Sequence, residues 1–264
     1  MTRKREEEEI SEMELGNITI TNAATRESDK ANRNIGGCCS STTVVTLAQK
    51  FIAIGTYFLI FAGCGSVAVN KIYGSVTFPG ICVTWGLIVT VMVYTVGHVS
   101  GAHFNPAVTI ALTIFRRFPY KEVPIYIVAQ LIGSILASGT LILTLDVTPK
   151  DYFGTIPVGS SGQSLVMEII ATFLLMFVVS AVATDNRAVC IFSVSFYTIQ
   201  LHNSLLKPIS GASMNPARSI APALLKHVYT GLWVYIVEPI VGAIAGAFAY
   251  NLIRSTDKTT PRLR

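Results

Sequence analysis

Two asparagines, Asn105 and Asn215, each stand before Pro-Ala inside a nearly repeated nonapeptide: Ser-Gly-Ala-His-Phe-Asn-Pro-Ala-Val at 100–108 and Ser-Gly-Ala-Ser-Met-Asn-Pro-Ala-Arg at 210–218. Three of the nine positions differ, His103/Ser213, Phe104/Met214 and Val108/Arg218. The chemistry these residues offer is directional hydrogen bonding. Asparagine is a favoured N-cap and proline a favoured first helical residue, and proline keeps the residue before it out of helical geometry. Asn105-Pro106-Ala107 and Asn215-Pro216-Ala217 therefore predict short helices over 105–115 and 215–225. The N-terminus of a helix carries about half a positive charge. A water passing two such ends accepts from both asparagine amides and turns its own protons away, while a cation is repelled. A lone Asn-Pro-Ala would read as an ordinary helix cap; a paired copy with matched flanks does not.

The elements that must position these turns are apolar. Of 264 residues 51% are hydrophobic and 13% charged, against about 25% charged in ordinary soluble domains. Stretches near 51–69, 80–97, 125–145, 165–184 and 232–253 are each long enough to cross a bilayer, and 188–206 is a poorer sixth; a span takes about 20 residues. An 11-residue helix is roughly 16 Å long, about half a hydrocarbon core. Three spans per half is an odd number, so the second half is inverted relative to the first. The two short helices then enter from opposite faces and meet N-terminus to N-terminus. The duplication reaches beyond the turns, because Ile54-Gly55-Thr56-Tyr57-Phe58-Leu59 pairs with Ile170-Ala171-Thr172-Phe173-Leu174-Leu175. The Gly-Ala before each turn supplies the bend, and irregular backbone at such depth must be buried in protein or line an aqueous cavity.

The expected organisation is a disordered polar tail at 1–43, a channel domain at 44–254 (halves 44–146 and 163–254) and a short tail at 255–264. Arg116, Arg117, Lys121, Arg187, Arg254 and the basic residues of both tails lie on one side of the spans; Lys71, Lys150, Lys207, Lys226 and Arg218 lie on the other. This bias predicts both termini in the cytosol. The net charge of +5 is scattered and is not a nucleic-acid signal. Five cysteines make no disulfide framework; Cys64 and Cys82 read as packing residues, and Cys38 and Cys39 form a weak acylation pattern. No catalytic, metal or cofactor constellation is expected.

These residues resemble the major intrinsic protein family, the aquaporins and aquaglyceroporins, over roughly 48–254. Within it, Phe78 to Gly86, Gly97 to His103 and Ala183 to Ala188 are similar to the plant nodulin-like intrinsic proteins. The resemblance implies an all-α membrane fold, a right-handed bundle of six transmembrane helices and two re-entrant half-helices. It implies a pore in each protomer, assembly as a homotetramer or a heterotetramer with related channels, and residence in a plasma membrane or endomembrane of a plant cell. Implied substrates are water and small uncharged solutes, such as glycerol and metalloid hydroxy acids. By the family's spacing the filter falls on Trp85, Asn203, Ala212 and Arg218: a broad apolar wall facing a guanidinium with five donors.

Three departures stand out. Four residues before Thr172 stands Glu168, which the family pattern leads us to expect as a buried acid ordering the loop of a half-helix. Four before Thr56 stands Ile52, and the approach to that span reads as shortened by about two residues. Span five carries Ser193, Ser195, Gln200, His202, Asn203 and Ser204, so either Asn203 or His202 lines the pore or the segment inserts poorly. Glu238 lies within span six, where a lone carboxylate costs several kcal/mol unless neutral or paired; Trp233, Tyr235 and Tyr250 read as interface anchors. His103 reads either as a protonation gate or as a packed loop histidine. Besides a passive channel, two other classes remain open. One is a secondary carrier, which needs coupling-ion ligands. The other is a non-conducting or partner-dependent subunit, for which the altered spans one and five would account.

Overall fold

The computed structural model describes residues 41–182 and 209–256. Its long helices are α1 (Ser41–Tyr73), α2 (Thr77–Ser100), α4 (Val123–Leu145), α5 (Ser161–Val182) and α7 (Val234–Thr256); α3 (Pro106–Ile114) and α6 (Pro216–Lys226) are short. Residues 41–47, the start of α1, belong to a separate unit, and the helices pack together in the unit from Ala48 onward. Five segments, Gln49–Tyr73, Thr77–Ser100, Tyr120–Leu145, Ser161–Val182 and Val234–Arg254, are long and apolar enough to cross a membrane. The expected span at 188–206 lies outside the described residues. The span in α1 is 25 residues long, and Ile52 stands within it.

Helix–helix contact follows the repeat. A Cβ on Gly133 of α4 would stand 2.3 Å from the Ala53 carbonyl oxygen and 3.1 Å from Thr56 Cβ on α1. A Cβ on Gly242 of α7 would stand 2.5 Å from the Ile169 oxygen and 3.0 Å from Thr172 Cβ on α5. One glycine in each half thus lets the same pair of helices cross backbone to backbone. The equivalence of Thr56 with Thr172 carries that of Ile52 with Glu168, and both of these are fully buried. Large apolar side chains point outward instead, among them Ile54 and Phe58 on α1, Val128 and Leu136 on α4 and Ile170 on α5. In water such faces would be an aggregation surface; in lipid they are at home.

Two faces of the bundle are distinguished by where lysine and arginine reach. Lys71 at the end of α1 donates to the Tyr152 carbonyl at 2.6 Å, and Lys226 at the end of α6 donates to the Val147 carbonyl at 2.7 Å. The loop at 146–160 therefore lies over that face, tied down further by Val158 N–H to the Ile209 carbonyl. Arg117, just past α3, donates to the Ser180 carbonyl of α5 and to Asn251 Oδ1 of α7. It gathers helix ends on the opposite face.

Candidate functional site

The two short helices begin where Asn-Pro-Ala sets them. Asn105 (φ −145°, ψ 120°) and Asn215 (φ −148°, ψ 109°) are extended N-caps, each with proline next. Asn105 Oδ1 accepts from the Ala107 N–H at 2.9 Å, and Asn215 Oδ1 from the Ala217 N–H at 3.0 Å. This fixes the amide orientation, since the oxygen serves its own helix and the NH2 faces away. One N–H of each then crosses to the other half: Asn105 donates to the Met214 carbonyl at 2.6 Å and Asn215 to the Phe104 carbonyl at 2.8 Å. The reciprocal pair ties the helix ends head to head across 109 and 111 residues of sequence. An amide NH2 has two protons, so each asparagine keeps one. Both asparagines border the same cavity.

The approaching loops are bent by left-handed residues in matched places, Gly101 (φ 71°) and Ala102 (φ 52°), then Gly211 (φ 85°) and Ala212 (φ 51°). Alanine rarely adopts this region, so the surroundings must hold it. In the second half Glu168 does much of that work. Its Oε1 accepts from Ser210 Oγ and from Ser213 N–H, both at 2.7 Å, and its Oε2 from Met214 N–H at 2.8 Å. In the first half Gln130 of α4 acts with opposite polarity, donating to the His103 carbonyl and to Thr109 Oγ1. In the sequence Gln130 is marked only as an amide amid the apolar run 125–145. Ser134, one turn on, donates to the Ala217 carbonyl at 2.8 Å.

A cavity of about 920 Å³ runs past these ends. Trp85, Ala212, Arg218, Asn105, Asn215, Arg117 and Arg254 all border it. Leu59 and Leu175, equivalent positions of the repeat, both line it. Arg218 is 3% exposed. Its guanidinium donates to the Ala212 and Gly211 carbonyls, and its carbon centre lies 4.8 Å from the centre of the Trp85 ring. A cation over an indole face is attractive, so Trp85 and Arg218 hold each other. Nearby, burial pushes the Tyr152 phenol up to about 12, which keeps it neutral.

The model of the major intrinsic protein family matches residues 41–250. The chain belongs to the major intrinsic protein family. It is 68% identical over 258 residues to an aquaporin of NIP type from Nicotiana alata, covering 96% of this chain and 92% of that one. It is 55% identical over 223 residues to nodulin-26 of Glycine max, covering 83% and 82%. These relatives place it among the plant nodulin-like intrinsic proteins. The X-ray structure of the aquaglyceroporin from Plasmodium falciparum superposes with a TM-score of 0.70, at 24% identity, over 80% of this chain and 99% of that one. That likeness speaks for the aquaporin fold.

Within this major intrinsic protein, Asn105, Asn215, Trp85, Ala212 and Arg218 share one cavity, and Glu168 stands behind the second loop. Asn203 and His202 lie outside the described residues. Tyr235 corrects an expectation: it is fully buried and its hydroxyl donates to the Ser210 carbonyl, whereas Trp233, two residues earlier, is 53% exposed. Trp233 lies in the turn before α7 and Tyr235 in its first turn, so an anchor and a core residue are neighbours in sequence. Glu238 is fully buried, and among the described residues neither of its oxygens has a hydrogen-bond partner. His103 is buried with its ring edge-on to Phe118 and Tyr126 at 4.8 and 5.8 Å, the setting of a packed loop histidine. Among the described residues no group of three His, Cys, Asp or Glu is placed to hold a metal.

Proposed function

We propose that the chain is a passive transmembrane channel for water and small uncharged solutes, closed to protons and cations. The observation that carries this is the pair of capped helix ends tied amide to carbonyl, each with an N–H to spare, on the wall of one open cavity. Asn105 and Asn215 with Pro106, Ala107, Pro216 and Ala217 orient the solute. Trp85, Ala212 and Arg218 select it, with Asn203 as a fourth filter residue. Glu168 positions the second half-helix. The wide apolar wall at Trp85 beside a fixed donor suits glycerol-like molecules and metalloid hydroxy acids as well as water. Such a wall rejects ions by denying them hydration. The excess of arginine and lysine on one side supports cytosolic termini, and the relatives' plant origins support a plasma membrane or endomembrane of a plant cell. The apolar outer faces support a tetramer in lipid. No catalytic step belongs to this reading.

Stopped-flow swelling of proteoliposomes tests it, with sucrose, glycerol, urea and boric acid gradients in turn. Fast swelling with water and glycerol, no proton leak and a flux linear in solute is expected. Saturable, ion-driven uptake would point to a carrier, and no flux from inserted protein to a non-conducting subunit.

A further inference from the structure

Trp85 stands where it does because α1 has no side chain at residue 63. A Cβ built on Gly63 would lie 2.5 Å from Cε2 and Cζ2 of the Trp85 indole and 2.6 Å from Cδ2, well inside van der Waals contact of about 3.5–4.0 Å. The ring cannot give way cheaply. It is buried, with 5% of its surface exposed, and Arg218 lies against its face. Two turns earlier on α1 the pattern recurs. A Cβ on Gly55 would lie 2.3 Å from Cε1 of Phe104, the residue before the first Asn-Pro-Ala. Leu59, midway between them, lines the cavity, as do Trp85 and Phe104 themselves. Positions i, i+4 and i+8 share a helix face, so one stripe of α1 backs the pore wall at two levels.

The second half shows that these glycines are not a by-product of the repeat. Ala171 replaces Gly55 there and packs in one cluster with Met214, the counterpart of Phe104. Val179 stands at the counterpart of Gly63 and itself borders the cavity. Small backs large at Gly55 and Gly63, whereas Ala171 backs the more pliable Met214.

We propose that Gly63 is a specificity-determining residue: its missing side chain sets how far Trp85 recedes from the lumen, and so the width of solute the channel admits. Gly55 does the same for Phe104 beside the asparagines. A methyl group at 63 drives the indole toward Arg218 and the passage, excluding a carbon-backbone solute such as glycerol before it excludes water. This rests on the channel reading above.

The test compares wild type, G63A, W85A and G63A/W85A in proteoliposomes, with permeability scaled to inserted protein, and G139A as a control, since a Cβ at Gly139 meets nothing within 4 Å. G63A is expected to lower glycerol permeability relative to water by about tenfold, the scale of an overpacked contact. In the W85A background the same substitution should move the ratio less than about twofold, because the clash has gone. An unchanged ratio in G63A, or an equal shift in both backgrounds, overturns the proposal. Insertion of G63A/W85A where G63A alone fails supports it; failure of both overturns it. The chain has two tryptophans, so in a W233F background fluorescence reports Trp85 alone. G63A should raise its quenching by acrylamide, and no change counts against the seat. If wild type passes neither solute, the channel reading falls while this optical measurement still decides the seat.

Discussion

Asn105 and Asn215 each perform two tasks with one amide. Its oxygen caps its own helix, and its nitrogen bonds the opposite loop and faces the cavity. Aspartate is as good an N-cap, so N215D should fold, but it cannot donate to the Phe104 carbonyl. A carboxylate at the meeting point would also neutralise the positive helix ends. N215D is therefore expected to leak protons or sodium where wild type does not, measured with a pH-sensitive dye inside proteoliposomes; a tight N215D would refute the role given to the amide. Glu238 is the opposite case, a polar group with no task in view. Its two oxygens are buried without hydrogen-bond partners among the described residues, and such a group costs about 1–3 kcal/mol or more. E238A should raise the melting temperature in detergent, followed by light scattering or tryptophan fluorescence. A lower value would mean that the carboxyl has a structural duty.

At the level of elements, the second half-helix hangs on Glu168. Removing this acid in E168A strands the N–H groups of Ser213 and Met214 in a buried place, at about 1–3 kcal/mol for each unmet donor. E168A should lose thermal stability and water permeability together, and E168Q, which keeps one acceptor oxygen, should lose less. Equal stability of E168A and wild type would assign the acid elsewhere. The short helices were readable because their signals are local: Asn, Pro and a run of small residues place each start to within a residue. The acid was readable because a glutamate in an apolar span is conspicuous. What was not readable depends on how helices turn and cross. Tyr235 looked like an interface anchor until the helix turned it inward. The crossed amide bonds join residues over a hundred positions apart. Gly63 shows its purpose only once α1 lies against α2. Asn203 could be named by counting from the motif, yet counting cannot say which way a side chain faces.

Taken whole, the molecule is two inverted halves joined at their half-helix tips, with a cavity beside the junction. Its side chains come from α1, α2, α3, α5, α6 and α7 and from both loops, along the path proposed above. Apolar surfaces on α1, α4 and α5 face away from that path, and they are what a tetramer or the lipid would cover. Assembly and conduction should therefore separate. Val108 is 8% exposed, sits within the first turn of α3 and borders the cavity beside Asn105. Tryptophan there would fill the passage without touching an outer face. When wild type and V108W are reconstituted from co-expressed mixtures, water permeability should fall in proportion to the blocked fraction. A path shared between four subunits would instead fall steeply, since with half the chains blocked only about one tetramer in sixteen is free of V108W if subunits mix at random. Proportional loss from tetramers verified by native mass spectrometry would leave each protomer with its own pore.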